Sequence, residues 1–201
     1  MLAEVTEMRA MTTCLSRLRG ITLIELMVAV AVLGVLLAVA APSLSDLLER
    51  RRVAAVADEL AGVLTYAKAE TNATNSQLFV RFDPDPNQSM SCAAVVTTSG
   101  LNRCRCYLSP TSVCPRTSSE LLRLFQLPRD HVRFSASATN WAGSPNYIIF
   151  EREQMGIQTQ GFQLNVVGMR RGYALRVEVN TAGRVKICSP NGDMTGYATC
   201  V

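Results

Sequence analysis

A single carboxylate stands inside an otherwise apolar stretch. Between Leu26 and Ala41 no side chain is polar, and from Ile21 to Ala41 only Thr22 and Glu25 interrupt the run. At about 1.5 Å of rise per residue, such a run reaches roughly 30 Å as a helix, the thickness of a bilayer's hydrocarbon core. An acid at membrane depth costs about 2.5–3.5 kcal/mol at the bilayer centre and by default signals function. The chemistry open to Glu25 is to receive a cation, since pairing offsets much of the desolvation of both charges.

Other residue types suggest chemistry more weakly. The only histidine, His131, sits beside Val132 and Phe134 in a strand-like run, which points to a structural or surface role. Glu151 and Glu153 share a strand face but flank Arg152, as a solvated turn does. There is no G-x-S-x-G, H-E-x-x-H, Walker A or G-x-G-x-x-G element, so catalysis finds no support and no cofactor is expected. Of seven cysteines, Cys14 precedes the apolar run. The other six, Cys92, Cys104, Cys106, Cys114, Cys188 and Cys200, can form three bridges in 15 connectivities. Cys104-Arg105-Cys106 lacks zinc-site spacing, so disulfides are favoured over a metal. Cys188 with Cys200 is the preferred pair, because the other four cluster within residues 92–114. It closes a short loop and stabilises by about 2–3 kcal/mol on the chain-entropy argument.

Positive charge gathers near the C-terminus. Over 201 residues, 20 Lys and Arg stand against 16 Asp and Glu. Residues 170–201 hold Arg170, Arg171, Arg176, Arg184 and Lys186 against only Glu178 and Asp193. Such a patch is an electrostatic footprint for phosphates without selecting among polyanions. On an extended strand, Arg184 and Lys186 share a face while Val185 and Ile187 take the other. Arg170 and Arg171 are expected to widen the patch from a neighbouring turn, and Tyr173 to offer a ring for stacking. A solvated outer strand explains the same alternation without a ligand.

The elements that must position these groups follow from patterning. At 48% hydrophobic and 18% charged, the chain is neither disordered nor polytopic. Arg17 and Arg19 before the apolar run place the N-terminus in the cytoplasm and everything after Pro42 across the membrane. Val53, Val56, Leu60, Leu64 and Ala67 recur at helical spacing, with Asp46, Glu49, Arg50, Arg51, Asp58, Glu59, Lys68 and Glu70 between them. Strand-like runs follow at Gln77–Phe82, Ala93–Thr98, His131–Ser135, Tyr147–Phe150, Gln163–Val167, Ala174–Asn180 and Arg184–Cys188. Leu121 to Leu127 fits a strand or a short helix. Turns are expected at Asn72–Asn75, Asp83–Asn87 and Ala182-Gly183. The expected fold class is α+β, a long N-terminal helix packed on a small, mostly antiparallel β domain. The segments are a leader (1–20), a transmembrane half-helix (21–41), an amphipathic half-helix (42–71) and a β-rich periplasmic domain (72–201).

Three readings compete for the N-terminal segment. Ala38-Val39-Ala40 offers a site for a cleaved secretory signal, and a bare single-pass anchor is the second; neither uses Glu25. The third comes from Gly20-Ile21-Thr22-Leu23-Ile24-Glu25, which resembles the class III signal of type IV pilins and pseudopilins. That resemblance implies cleavage by prepilin peptidase between Gly20 and Ile21, N-methylation of Ile21, and pairing of Glu25 with the N-terminal amine of a neighbouring subunit. It also implies a helix bend at Pro42. Gly183-Arg184-Val185-Lys186 with Cys188 and Cys200 is similar to the C-terminal region of the FimT/GspH group. FimT-type minor pilins carry Gly-Arg-x-Arg there, associated with DNA binding in natural transformation. Here Lys186 replaces the second Arg, keeping the charge and losing the planar fork. The resemblance implies a minor pilin of a type IV pilus, with double-stranded DNA as a candidate ligand, or a GspH-type pseudopilin of type II secretion. Implied partners are other major and minor pilins or pseudopilins and an inner-membrane assembly platform. The implied location is the inner membrane, then the fibre.

Overall fold

A computed structural model describes residues 20–83, 87–97, 104–114, 119–138, 146–151, 156–157 and 161–201. Cys14, Glu153 and the prolines of the Asp83–Asn87 turn lie outside them. The architecture is α+β: helix α1 (Leu23–Thr74) followed by strands β1 (Leu78–Arg81), β2 (Met90–Thr97), β3 (Leu121–Pro128), β4 (Val132–Ala138), β5 (Tyr147–Glu151), β6 (Gly156–Ile157), β7 (Phe162–Gly168), β8 (Ala174–Val179) and β9 (Val185–Cys188). The chain falls into two compact units, Met1–Pro42 and Ser43–Val201. In the first, every described side chain through Ala41 is exposed. This is the one helix among the described residues long and apolar enough to cross a membrane.

In the second unit, α1 lays Val53, Val56, Ala57, Leu60, Val63, Leu64 and Ala67 into the core. The helix runs past the expected turn at Asn72 and ends at Thr74, whose hydroxyl donates to the Glu70 carbonyl at 2.8 Å. Asn75 then takes a left-handed conformation (φ 53°), which asparagine tolerates and which stops the helix. One sheet has the order β3-β2-β1-β5-β6, the other β4-β7-β8-β9, and all pairings are antiparallel. Leu121 to Leu127 is therefore strand. Its alternation is weak because β3 is an edge with half-buried side chains.

The first sheet is covered on both faces. Leu78, Val80, Phe82, Val95, Ile148 and Phe150 face the core beneath α1. Phe79, Ala94, Val96 and Ile149 face the opposite way, under Val113 and the bridged cysteines of residues 104–114. Cys92–Cys106 ties that segment to β2, and Cys104–Cys114 closes it on itself. Asp83, buried beneath it, accepts from the Cys106 backbone N–H at 3.3 Å and pairs with Arg81 at 2.9 Å. Residues 104–114 are thus a cover over a second small core.

Candidate functional site

Two places in the chain carry the residues singled out above. At the first, Thr22 precedes the helix and its Oγ1 accepts from the Glu25 backbone N–H at 3.3 Å, while its carbonyl accepts from the Leu26 N–H at 3.1 Å. Thr22 is therefore the N-cap and Glu25 the third helical residue, the positions of a capping box. Sequence reasoning used the charge of Glu25 and missed its local setting, although the spacing Thr-x-x-Glu is the signature. The carboxylate stands exposed in the first turn, where the positive end of the helix dipole favours an anion. Cleavage after Gly20 would leave one residue, Ile21, between the new amine and this cap.

The second place is the β8–β9 hairpin. Gly183 N–H donates to the Asn180 carbonyl at 2.8 Å, and Asn180 N–H donates to the Arg184 carbonyl at 3.1 Å. The turn needs Gly183 at φ 67°. A Cβ there would meet the Lys68 side chain at 3.3 Å, and the Lys68 ammonium donates to the Ala182 carbonyl at 2.8 Å. The glycine thus has a structural reason to be glycine. Arg184 and Lys186 are both exposed, and Val185 and Ile187 pack on the core from the other face. Lys186 lies opposite Glu178, which in turn approaches Arg176 at 3.7 Å. Arg176 also donates to Asn165 Oδ1 at 3.0 Å.

Arg170 and Arg171 do not join this patch. They lie in the β7–β8 turn, at the opposite end of β8, so a six-residue strand of about 20 Å separates them from the hairpin. Both backbone N–H groups donate to the buried Glu49 carboxylate at 3.0 Å, and the Arg171 guanidinium pairs with Asp46 at 3.0 Å. Glu49, placed by its charge among the polar positions of the helix, is 4% exposed. Nor does Tyr173 offer a free ring: the Arg50 guanidinium lies 4.1 Å from its centroid. Cys188 and Cys200 are bridged, tying the C-terminal tail to the end of β9, where Ser189 N–H donates to the Ala198 carbonyl at 2.8 Å. The Glu178 carboxylate lies near that bridge, but sulfurs joined to each other are not thiolate ligands for a metal. His131 is exposed in the turn before β4.

Residues 15–41 match the prokaryotic N-terminal methylation motif. The chain has a prepilin-type N-terminus. That prepilin signal and the apolar helix behind it fit a single-pass inner-membrane protein. Among solved structures, the minor pseudopilin EpsH from the type 2 secretion system of Vibrio cholerae is similar at 12% identity and a TM-score of 0.42, covering 69% of this chain and 97% of that one. No curated protein matches the chain.

Proposed function

We propose that the chain is a minor pilin of the FimT/GspH group, incorporated into or priming a type IV pilus. Prepilin peptidase cuts after Gly20, the amine of Ile21 is methylated, and Glu25 receives the amine of a neighbouring pilin. Its role is structural rather than catalytic, and the globular unit works on the periplasmic side with the assembly platform and other pilins. The observation that carries this reading is the methylation motif, with Glu25 in the first turn of α1 at the head of its exposed apolar run. N-terminal sequencing of the protein from native membranes tests it. Methylated Ile21 is the expected first residue, absent when prepilin peptidase is deleted; any other start refutes the reading. Glu25→Ala should abolish incorporation into fibres and leave cleavage intact.

In this reading the β8–β9 hairpin binds duplex DNA through Arg184 and Lys186. Two phosphate contacts give a shallow salt dependence, with log K falling against log salt at a slope of roughly −1.8. The full chain in mild detergent should shift duplexes of unrelated sequence at low salt, and Arg184→Ala with Lys186→Ala should remove the shift. Three observations favour a second reading, a GspH-type pseudopilin of type II secretion. Glu178 neutralises part of the patch, Arg170 and Arg171 stand elsewhere, and Arg50 caps Tyr173. Wild-type chain that shifts no DNA at low salt would select that reading.

A further inference from the structure

The end at which the chain enters the globular unit carries groups that neither assembly through Glu25 nor the hairpin uses. Leu44, Leu47 and Leu48 are 56%, 45% and 42% exposed, on the side of α1 turned away from Val53 and Leu60. Met169, in the β7–β8 turn, is 46% exposed. Arg51, Arg52 and Arg170 are exposed beside them along the chain. The turn is pinned rather than loose, since the Glu49 carboxylate holds two of its backbone N–H groups and Asp46 holds Arg171. Glu49 is six residues beyond Ser43, about 9 Å of helix rise. All of these groups therefore collect at one end of the unit.

Scattered exposed leucines need no explanation. Three within two helical turns, with a methionine on a fixed turn and a fringe of arginines, are the composition of an interfacial surface. Apolar side chains enter the acyl boundary while guanidinium groups meet anionic headgroups. Continuity of the chain supplies the lipid, because the apolar run ends at Ala41, three residues before Leu44.

We infer that this end of the globular unit is a lipid seat, resting Leu44, Leu47, Leu48 and Met169 on an anionic membrane surface through Arg51, Arg52 and Arg170 while the protein awaits assembly. The Glu49 clamp fixes the turn that carries Met169 and Arg170. The inference rests on reading Ile21–Ala41 as a membrane span.

The test uses the full chain with Trp141→Phe, reconstituted in vesicles of phosphatidylglycerol and phosphatidylcholine, some brominated near the top of the acyl chains. One reporter is Met169→Trp. The other is Thr181→Trp on the β8–β9 turn, which lies at the level of Lys68, about 28 Å further along the helix. Quenching by brominated lipid should be several-fold stronger at 169 than at 181. It should weaken in pure phosphatidylcholine, at high salt, and with Arg51→Gln, Arg52→Gln and Arg170→Gln together. Equal quenching at both positions overturns the seat. So does protection of position 169 that follows protein-to-lipid ratio rather than bromination, which would mean a second copy covers the surface. A chain that fails to float with vesicles at all refutes the span itself.

Discussion

Replacing Glu49 by alanine removes the acceptor for the backbone N–H groups of Arg170 and Arg171. A hydrogen bond to a charged group contributes about 1.5–3 kcal/mol, so the two donors set a ceiling of roughly 3–6 kcal/mol. Two effects reduce it. Both arginines are exposed, so the freed amides can take water, and the buried carboxylate no longer has to be desolvated. The expected cost is about 2–3 kcal/mol, a fall in Tm of roughly 4–12 °C at this chain length. Glu49→Gln keeps one acceptor oxygen and should cost about half as much. Gly168→Ala should injure the same contact, because a Cβ there collides with the Glu49 carboxyl. Urea unfolding of the full chain in mild detergent measures all three, and the double variant closes a thermodynamic cycle. In the Glu49→Ala background, Gly168→Ala should lose most of its cost. Strict additivity, or a Glu49→Ala protein within about 0.5 kcal/mol of wild type, would refute the clamp. A fragment starting at residue 50 lacks Asp46 and Glu49 and should show the same weakness, whereas one starting at Ser43 should not.

Other outcomes are expected from the same physics. Gly183→Ala forces a side chain into a left-handed turn against Lys68 and should cost about 1–2 kcal/mol in urea unfolding, with Gly183→Asn milder. Cys188→Ser with Cys200→Ser opens a short loop and should lose roughly 2–3 kcal/mol, seen as a lower urea midpoint under oxidising conditions only. Burial, and secondarily the negative charge of Asp58, raise the Tyr197 phenol above its ordinary value. The folded state thus favours the neutral phenol. Its contribution is complete below about pH 10, the unfolded value, and is lost as pH rises through the folded one. Asp58→Asn should reduce the alkaline decline in urea midpoint, and an unchanged decline would discard Asp58 as a cause.

Much of the fold is legible where periodicity is strong. The stripe from Val53 to Ala67 is buried as its spacing predicts, and the alternating runs at Leu78 and Leu175 become β1 and β8. The two-residue strand β6 escapes, because so short a run carries no period. Leu121 to Leu127 is ambiguous because an edge strand presses neither face fully into a core. Glu49 misleads for a physical reason. Charge predicts exposure until two backbone donors in a distant turn satisfy the carboxylate, and no local pattern announces that turn. Likewise Arg170 and Arg171 are near Arg184 in sequence, but an intervening strand carries them to the other end of the sheet. The N-terminal methylation motif is legible because its residues are contiguous in sequence, whereas the Thr22 cap on Glu25 escapes a reading by charge although its spacing is just as local.

The clasped segment over Phe79, Ala94, Val96 and Ile149 sets a timetable for maturation. Until thiols pair, nothing covalent secures that flap, and a greasy flank of the sheet stays open to solvent and to stray strands. In the proposed role, the chain would have to meet an oxidant after export and before it is handed to a fibre. On that reading, cells short of thiol oxidase would accumulate subunits that are anchored and trimmed yet unfit to join.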